Sequence, residues 1–172
     1  ATGTPVIIRA AGEAVVEAFV LAILYASLAV TVLLVLMLRN LLDVIIVAIP
    51  AITGAIVTGG LMWAIGLSLN FANIIVLPLL FGLSVDFGIH MVMRAREGRL
   101  EDIYEVSTMR AIVYSAATTV GSFAALSLSP HTGTASMGLL LTLSLAVTIV
   151  ATLLITPALL QLTVGWRQGR DA

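Results

Sequence analysis

Apolar residues run through this chain in three long uncharged stretches, and charged residues fall only between them. The first stretch, Ala18 to Leu38, is bracketed by Glu17 and Arg39 and holds 21 residues. A helix needs about 20 apolar residues to cross the hydrocarbon of a bilayer, so this is one crossing. The second, Val44 to Val85, holds 42 and is too long for one helix; "GLSLN", Gly66 to Asn70, is the turn that divides it. The third, Ala111 to Trp166, holds 56 and breaks at "SPHTG", Ser129 to Gly133, where proline and glycine oppose helix continuation. The pattern predicts an all-α membrane protein, a bundle of five transmembrane helices at about 15–38, 44–65, 71–93, 111–128 and 134–163.

Composition agrees with the pattern. The 172 residues are 60% hydrophobic and 10% charged, with a mean hydropathy of +1.17, whereas about a quarter of the residues in soluble domains carry charge. The net charge of −1 and the lack of any lysine argue against a nucleic-acid partner or a polybasic lipid-binding tail. The expected partners are the lipid bilayer and other membrane helices. No cysteine is present, which removes disulfides, thiolate nucleophiles and cysteine metal sites from consideration.

Charge also orients the bundle. With five crossings, seven of the eight arginines fall on one side, in the turn at Arg39, the 94–110 loop and the 166–172 tail, and only Arg9 falls on the other. The positive-inside rule makes the arginine-rich side cytoplasmic and the N-terminus external. Residues 1–14 then read as an external segment leading into the membrane, the tail of something folded outside. The loop "RAREGRLEDIYEVSTMR", 94–110, is expected to hold a short interfacial helix with Ile103 and Tyr104 toward lipid or bundle. Charge pairs on a solvated face explain that loop equally well.

One ionisable pair interrupts the apolar pattern. Asp86 falls within the third crossing, where insertion scales charge about 2.5–3.5 kcal/mol for an aspartate at mid-helix. Protonation and a polar partner inside the bundle are the two ways to tolerate it, and a carboxyl able to take either state is what a proton relay needs. His90 lies four residues on and Gly82 four residues back, so Gly82, Asp86 and His90 share one helix face. That seam would face protein, with Gly82 permitting close helix packing, and His90 is a second relay candidate. Two hydroxyl stripes recur on the last crossings, Ser115, Thr119 and Ser122, then Thr148, Thr152 and Thr156. Each stripe is a candidate set of polar partners for Asp86. The plainer reading is that such residues pack between membrane helices and bond their own carbonyls one turn back.

Other features are less specific. Gly54, Thr58, Gly59 and Gly60 form a close-approach surface on the second crossing. Pro50, Pro78 and Pro157 remove backbone donors in or near the crossings. Trp63 and Trp166 fall near opposite ends of the bundle, as interface anchors do. No metal site is expected, since Asp86 and His90 make two ligands where three or four must converge. No cofactor is implied and no catalytic triad can be assembled, because the two histidines, His90 and His131, fall at opposite faces of the membrane. No glycine-rich phosphate loop is present, which leaves an ion gradient as the energy source.

At "VLPLLFGLSVDFGIHMVMRAREG" the sequence resembles the resistance-nodulation-division (RND) transporters, and within them the lipid-exporting branch that includes the MmpL-type and hopanoid transporters. Gly82, Asp86, Phe87, Ile89 and His90 fill that family's G-x-x-x-D-[YF]-x-I-H pattern. The segments "TGTPVIIRAAGEAVVEAF", "RAIVYSAATTVGSFAALSLSPHTGTASMG" and "LLITPALL" extend the similarity over nearly the whole chain. "LNFANIIVLPLLFG" and "SPHTGTASMG" look most like the C-terminal half of the hopanoid branch. The resemblance implies a proton-driven exporter of hydrophobic lipids in a bacterial inner membrane. It also implies Asp86 in the proton relay, the other half or a second copy as partner, and a homo-oligomer at full length. Phe87 stands where many lipid-exporting members have tyrosine, so position 87 offers no hydroxyl to bridge the halves. Two readings compete: a protein-export accessory subunit of the same superfamily, whose members tend to read D-A-N where this chain reads "DFG", and a non-transporting bundle like the sterol-sensing domains. An intramembrane enzyme is the weakest reading, for want of ligands or a nucleophile.

Overall fold

The computed structural model of the chain describes residues 4–67, 70, 74–96 and 106–168, with side chains placed for 12–67, 70, 74–96 and 110–163. Five long helices carry the fold: α1 (Thr4–Leu38), α2 (Leu41–Ala64), α3 (Val76–Arg96), α4 (Val106–Ser127) and α5 (Thr132–Gln168). No strand occurs among the described residues. The five expected crossings are therefore five helices, with shifted ends.

The largest shift is at the start. Helix α1 begins at Thr4, so the segment 1–14 is not a separate lead-in over its described part. Alanine, glutamate and arginine in "RAAGEAVVEAF" favour helix, and polarity ends a membrane crossing without ending the helix that makes it. At 35 residues α1 is about 52 Å long, well beyond the ~30 Å hydrocarbon core, so its charged first turns extend past it. Helix α3 runs on to Arg96 and α4 starts at Val106, so both ends of the expected 94–110 loop are helical. The interfacial helix expected around Ile103 and Tyr104 lies outside the described residues, as do the side chain of Trp166 and the end of the 166–172 tail.

Four of these helices are long and apolar enough to cross a membrane, over Gly12–Leu38, Leu41–Ala64, Val76–Arg96 and Thr132–Thr163. Helix α4 has the length, 22 residues, but Arg110 and the hydroxyls of Ser115, Thr118, Thr119 and Ser122 make it the more polar one.

Local chemistry sets the turns. Between α1 and α2 the chain reverses through two residues: Arg39, in the left-handed region at φ 51°, and Asn40, whose side chain accepts from the Leu42 N–H at 3.1 Å and caps α2. Helix α2 ends in a Schellman motif. Gly66 takes φ 68°, its N–H donates to the Trp63 carbonyl, and the Leu67 N–H donates to the Met62 carbonyl at 2.9 Å. At the same end of the bundle, Asn70 Nδ2 donates to Ser136 Oγ at 2.9 Å and ties this turn to the start of α5.

Helix α5 is the centre, packed against α2, α3 and α4, while α1 touches only α2 and α3 to any extent. Lipid is as apolar as leucine, so helices associate in it mainly through close packing, which small residues permit. Three glycines do this here. A Cβ on Gly54 would meet Thr148 of α5, with the Thr148 Cα at 3.1 Å. One on Gly88 would lie 3.0 Å from Val47 Cγ1, and one on Gly138 would lie 2.5 Å from the Ser127 nitrogen. Of the close-approach surface expected on α2, Gly54 and Thr58 are buried, whereas Gly59 and Gly60 have open space around them within this chain.

Candidate functional site

The face of α3 that packs inward is apolar but for Ser84: Val85, Phe87, Gly88, Met91 and Val92 are buried beside it. Asp86 and His90 lie on the other side, four residues apart, so their side chains stack along the helix. The Asp86 Oδ1 is 3.7 Å from His90 Nε2, and the two side chains are 65% and 66% exposed. That distance is ion-pair range for a protonated histidine and is too long for a direct hydrogen bond.

Both residues line an open groove of about 440 Å³ between α3 and α4, together with Met93, Arg94, Ala111, Ile112 and Ser115. On its other flank Asp86 borders a smaller crevice of about 160 Å³ against α1, lined by Val30, Leu33, Leu34, Gly82, Val85 and Ile89. Gly82 is thus near Asp86 as expected, but no helix of this chain packs onto it, since a Cβ there would meet nothing within 4 Å. Asp86 therefore sits between two openings, one polar and one apolar.

Of the expected hydroxyl partners, the structure brings Ser115 into the groove. Thr119 and Ser122 lie further along α4 and donate to the carbonyls of Ser115 and Thr118, both at 2.8 Å, the plainer of the two roles considered for them. Thr148, Thr152 and Thr156 require a correction. All three are buried in the core, and none of their hydroxyls has a hydrogen-bond partner, Asp86 included. Recurrence every four residues places them on one face of α5, and that face is turned to α2, as the contact of Thr148 with Gly54 shows. Ser84 and Ser144, also buried, donate to the carbonyls of Leu80 and Leu140 one turn back.

The sequence reading missed a second ionic site. Asp43, in the first turn of α2, is buried, and Arg96, the last residue of α3, reaches it. Arg96 Nε donates to Asp43 Oδ2 at 2.8 Å, Nη2 donates to the same oxygen, and Nη2 also donates to the Leu38 carbonyl at the end of α1. An aspartate at a helix start and an arginine at a helix end are each suited to the local dipole. That shared placement at one membrane edge was the available signal. Among the described residues no group of three His, Asp or Glu side chains gathers as metal ligands.

This arrangement sets a carboxyl and an imidazole side by side in one groove that opens out of the bundle. The sequence profile of the MMPL family matches residues 1–171. The chain is 45% identical over 160 residues to the hopanoid transporter HpnN of Rhodopseudomonas palustris (strain TIE-1) and 39% identical over 160 residues to HpnN of Burkholderia multivorans. It is also 29% identical over 168 residues to a membrane protein of Methanocaldococcus jannaschii. Each similarity covers 93% of this chain, which spans 18% of the length of either HpnN and 43% of the archaeal protein.

Proposed function

Because this chain belongs to the MMPL family, we propose that it is the five-helix membrane unit of a proton-motive-force-driven exporter of hydrophobic, hopanoid-like lipids. In this reading the unit belongs to an RND-type transporter in a bacterial inner membrane. Its arginine-rich end is cytoplasmic, and the lipid moves toward the outer envelope. Asp86 binds and releases the coupling proton, His90 assists, and the other half or a second copy of the transporter lies against α3 and α4.

The observation that carries the reading is the position of Asp86. A carboxylate in a membrane-spanning helix is expensive, and it stands beside His90 in a groove whose far end holds Arg94. A bundle that only had to be stable would have no use for it. The groove reaches from Arg94 and Met93 to the carboxyl, and the similarity to the HpnN proteins, named as hopanoid transporters, supports a hydrophobic, hopanoid-like lipid as cargo.

The test is lipid efflux by the intact transporter that carries this unit, across an imposed proton gradient. Asp86→Asn keeps the shape of the side chain and removes its titration. We expect membrane insertion at the wild-type level and loss of efflux. Wild-type efflux in the variant would make Asp86 a structural residue and end the proton-relay reading.

A further inference from the structure

Among the described residues, helix α1 packs most deeply into the bundle at its Leu38 end. From Val15 to Leu33 its large apolar side chains are mostly exposed, and Leu34 and Leu38 are its buried positions. At that end the chain turns tightly through Arg39 and Asn40 into α2. Arg96 joins all three helices there: its guanidinium donates to Asp43 of α2 and to the Leu38 carbonyl, which has no partner within α1 because the helix stops. One cation thus satisfies a buried carboxylate and an orphan carbonyl, from the last residue of the helix that carries Asp86.

Arg96 and Asp86 are ten residues apart on α3, about 15 Å along its axis. A shift or rotation of α3 on protonation of Asp86 reaches α1 only through what fastens the two together. Near Asp86 a crevice lined by Val30, Leu33, Gly82 and Ile89 separates them, with Leu34 and Val85 in apolar contact at its floor. The polar, directional attachment is the Arg96 clasp. We infer that Arg96 is a positioning residue that locks the end of α3 to the α1–α2 corner, so that a change of charge state at Asp86 moves α1. This rests on the proton-coupled export proposed above and adds the joint through which the coupling leaves α3.

These 172 residues contain no cysteine, so labels introduced here are the only thiols of the five-helix unit. Spin labels at Leu24→Cys and Leu79→Cys, both on exposed positions, report the α1–α3 distance in lipid nanodiscs. In the Arg96→Gln background the distance distribution is expected to broaden. Lipid efflux is expected to fall by about tenfold or more, within the usual range of coupling between two sites, while proton uptake continues. Protons moved per lipid exported then rise, whereas a general folding defect lowers both together. Arg96→Lys, which keeps a cation able to donate both to Asp43 and to the Leu38 carbonyl, is expected to recover the narrow distribution and part of the efflux.

An unchanged distance distribution in Arg96→Gln overturns the inference, as does a broadened one with unchanged efflux and unchanged proton stoichiometry. If Arg96→Gln does not insert, the Arg96→Lys variant decides. Recovered insertion with a broad distribution counts against the clasp, and recovery of insertion, distance and efflux supports it. Failure of the export reading is told apart by Asp86→Asn. Wild-type efflux there defeats the proton relay, and the α1–α3 distance still reports on the clasp.

Discussion

Gly138 is where the packing of this bundle can be tested most directly. A Cβ added there would lie 2.5 Å from the Ser127 nitrogen and 2.7 Å from both the carbonyl carbon and the Cβ of Leu126. Optimal contacts between carbon atoms lie near 3.5–4.0 Å, so α4 and α5 must part by about 1 Å at this crossing. The obstacle is chiefly backbone, and the turn joining the helices runs only from Leu128 to His131, so little slack can absorb the change. Overpacking of this kind costs about 1–3 kcal/mol. Alanine also gains about 0.8–1.0 kcal/mol over glycine inside a helix, which would mask part of the loss. Gly121 on α4 supplies the control, because a Cβ there meets nothing within 4 Å. Gly121→Ala takes the same helical gain with no clash. The difference in stability between Gly138→Ala and Gly121→Ala isolates the packing term, expected at about 1–3 kcal/mol with Gly138→Ala the less stable. Reversible unfolding in mixed micelles, titrated with a denaturing detergent and followed by far-ultraviolet circular dichroism, measures it. Equal midpoints for the two variants would refute the close approach of α4 and α5.

A second glycine contact and a buried hydroxyl give further tests. Gly88→Ala meets the movable Cγ1 of Val47 at 3.0 Å and its Cα at 3.4 Å, so a small local shift offsets the helical gain. A midpoint within about 0.5 kcal/mol of wild type is expected in the same titration. Thr152→Val replaces a buried hydroxyl that has no partner with a methyl group of similar size. Stability is expected to stay level or rise by up to about 1 kcal/mol, with lipid efflux unchanged, and a loss of efflux at normal insertion would return Thr152 to the proton path.

The parts of this fold that are local in sequence were legible in it. Five helices follow from the spacing of charges, and the stacking of Asp86 on His90 follows from their separation of four, because both depend on one helix at a time. What failed depends on two helices at once. Thr148, Thr152 and Thr156 share a face, as their spacing requires, but nothing in that spacing says the face is turned to Gly54 rather than to Asp86. Asp43 and Arg96 are 53 positions apart, and only the packing of α2 beside α3 brings them together. The start of α1 was missed for another reason: charge at Arg9, Glu13 and Glu17 marks where a membrane crossing ends, and a helix can continue into water.

The distribution of polarity explains why the site is where it is. Helix α5 keeps its polar atoms inside, where Ser144 bonds its own carbonyl and the threonines sit among apolar neighbours. Helices α3 and α4 do the opposite and turn Asp86, His90 and Ser115 outward into one groove. An outward carboxylate cannot be left against hydrocarbon at the usual cost of about 2.5–3.5 kcal/mol without compensation. Yet the inward face of α3, with Gly88 against Val47, has no room for it. Whatever covers the groove in a membrane has to compensate that charge, as water or the polar face of another bundle would. The same geometry that leaves Asp86 uncovered by this chain therefore opens it to the groove, and the two properties cannot be separated by moving the residue to another face of α3.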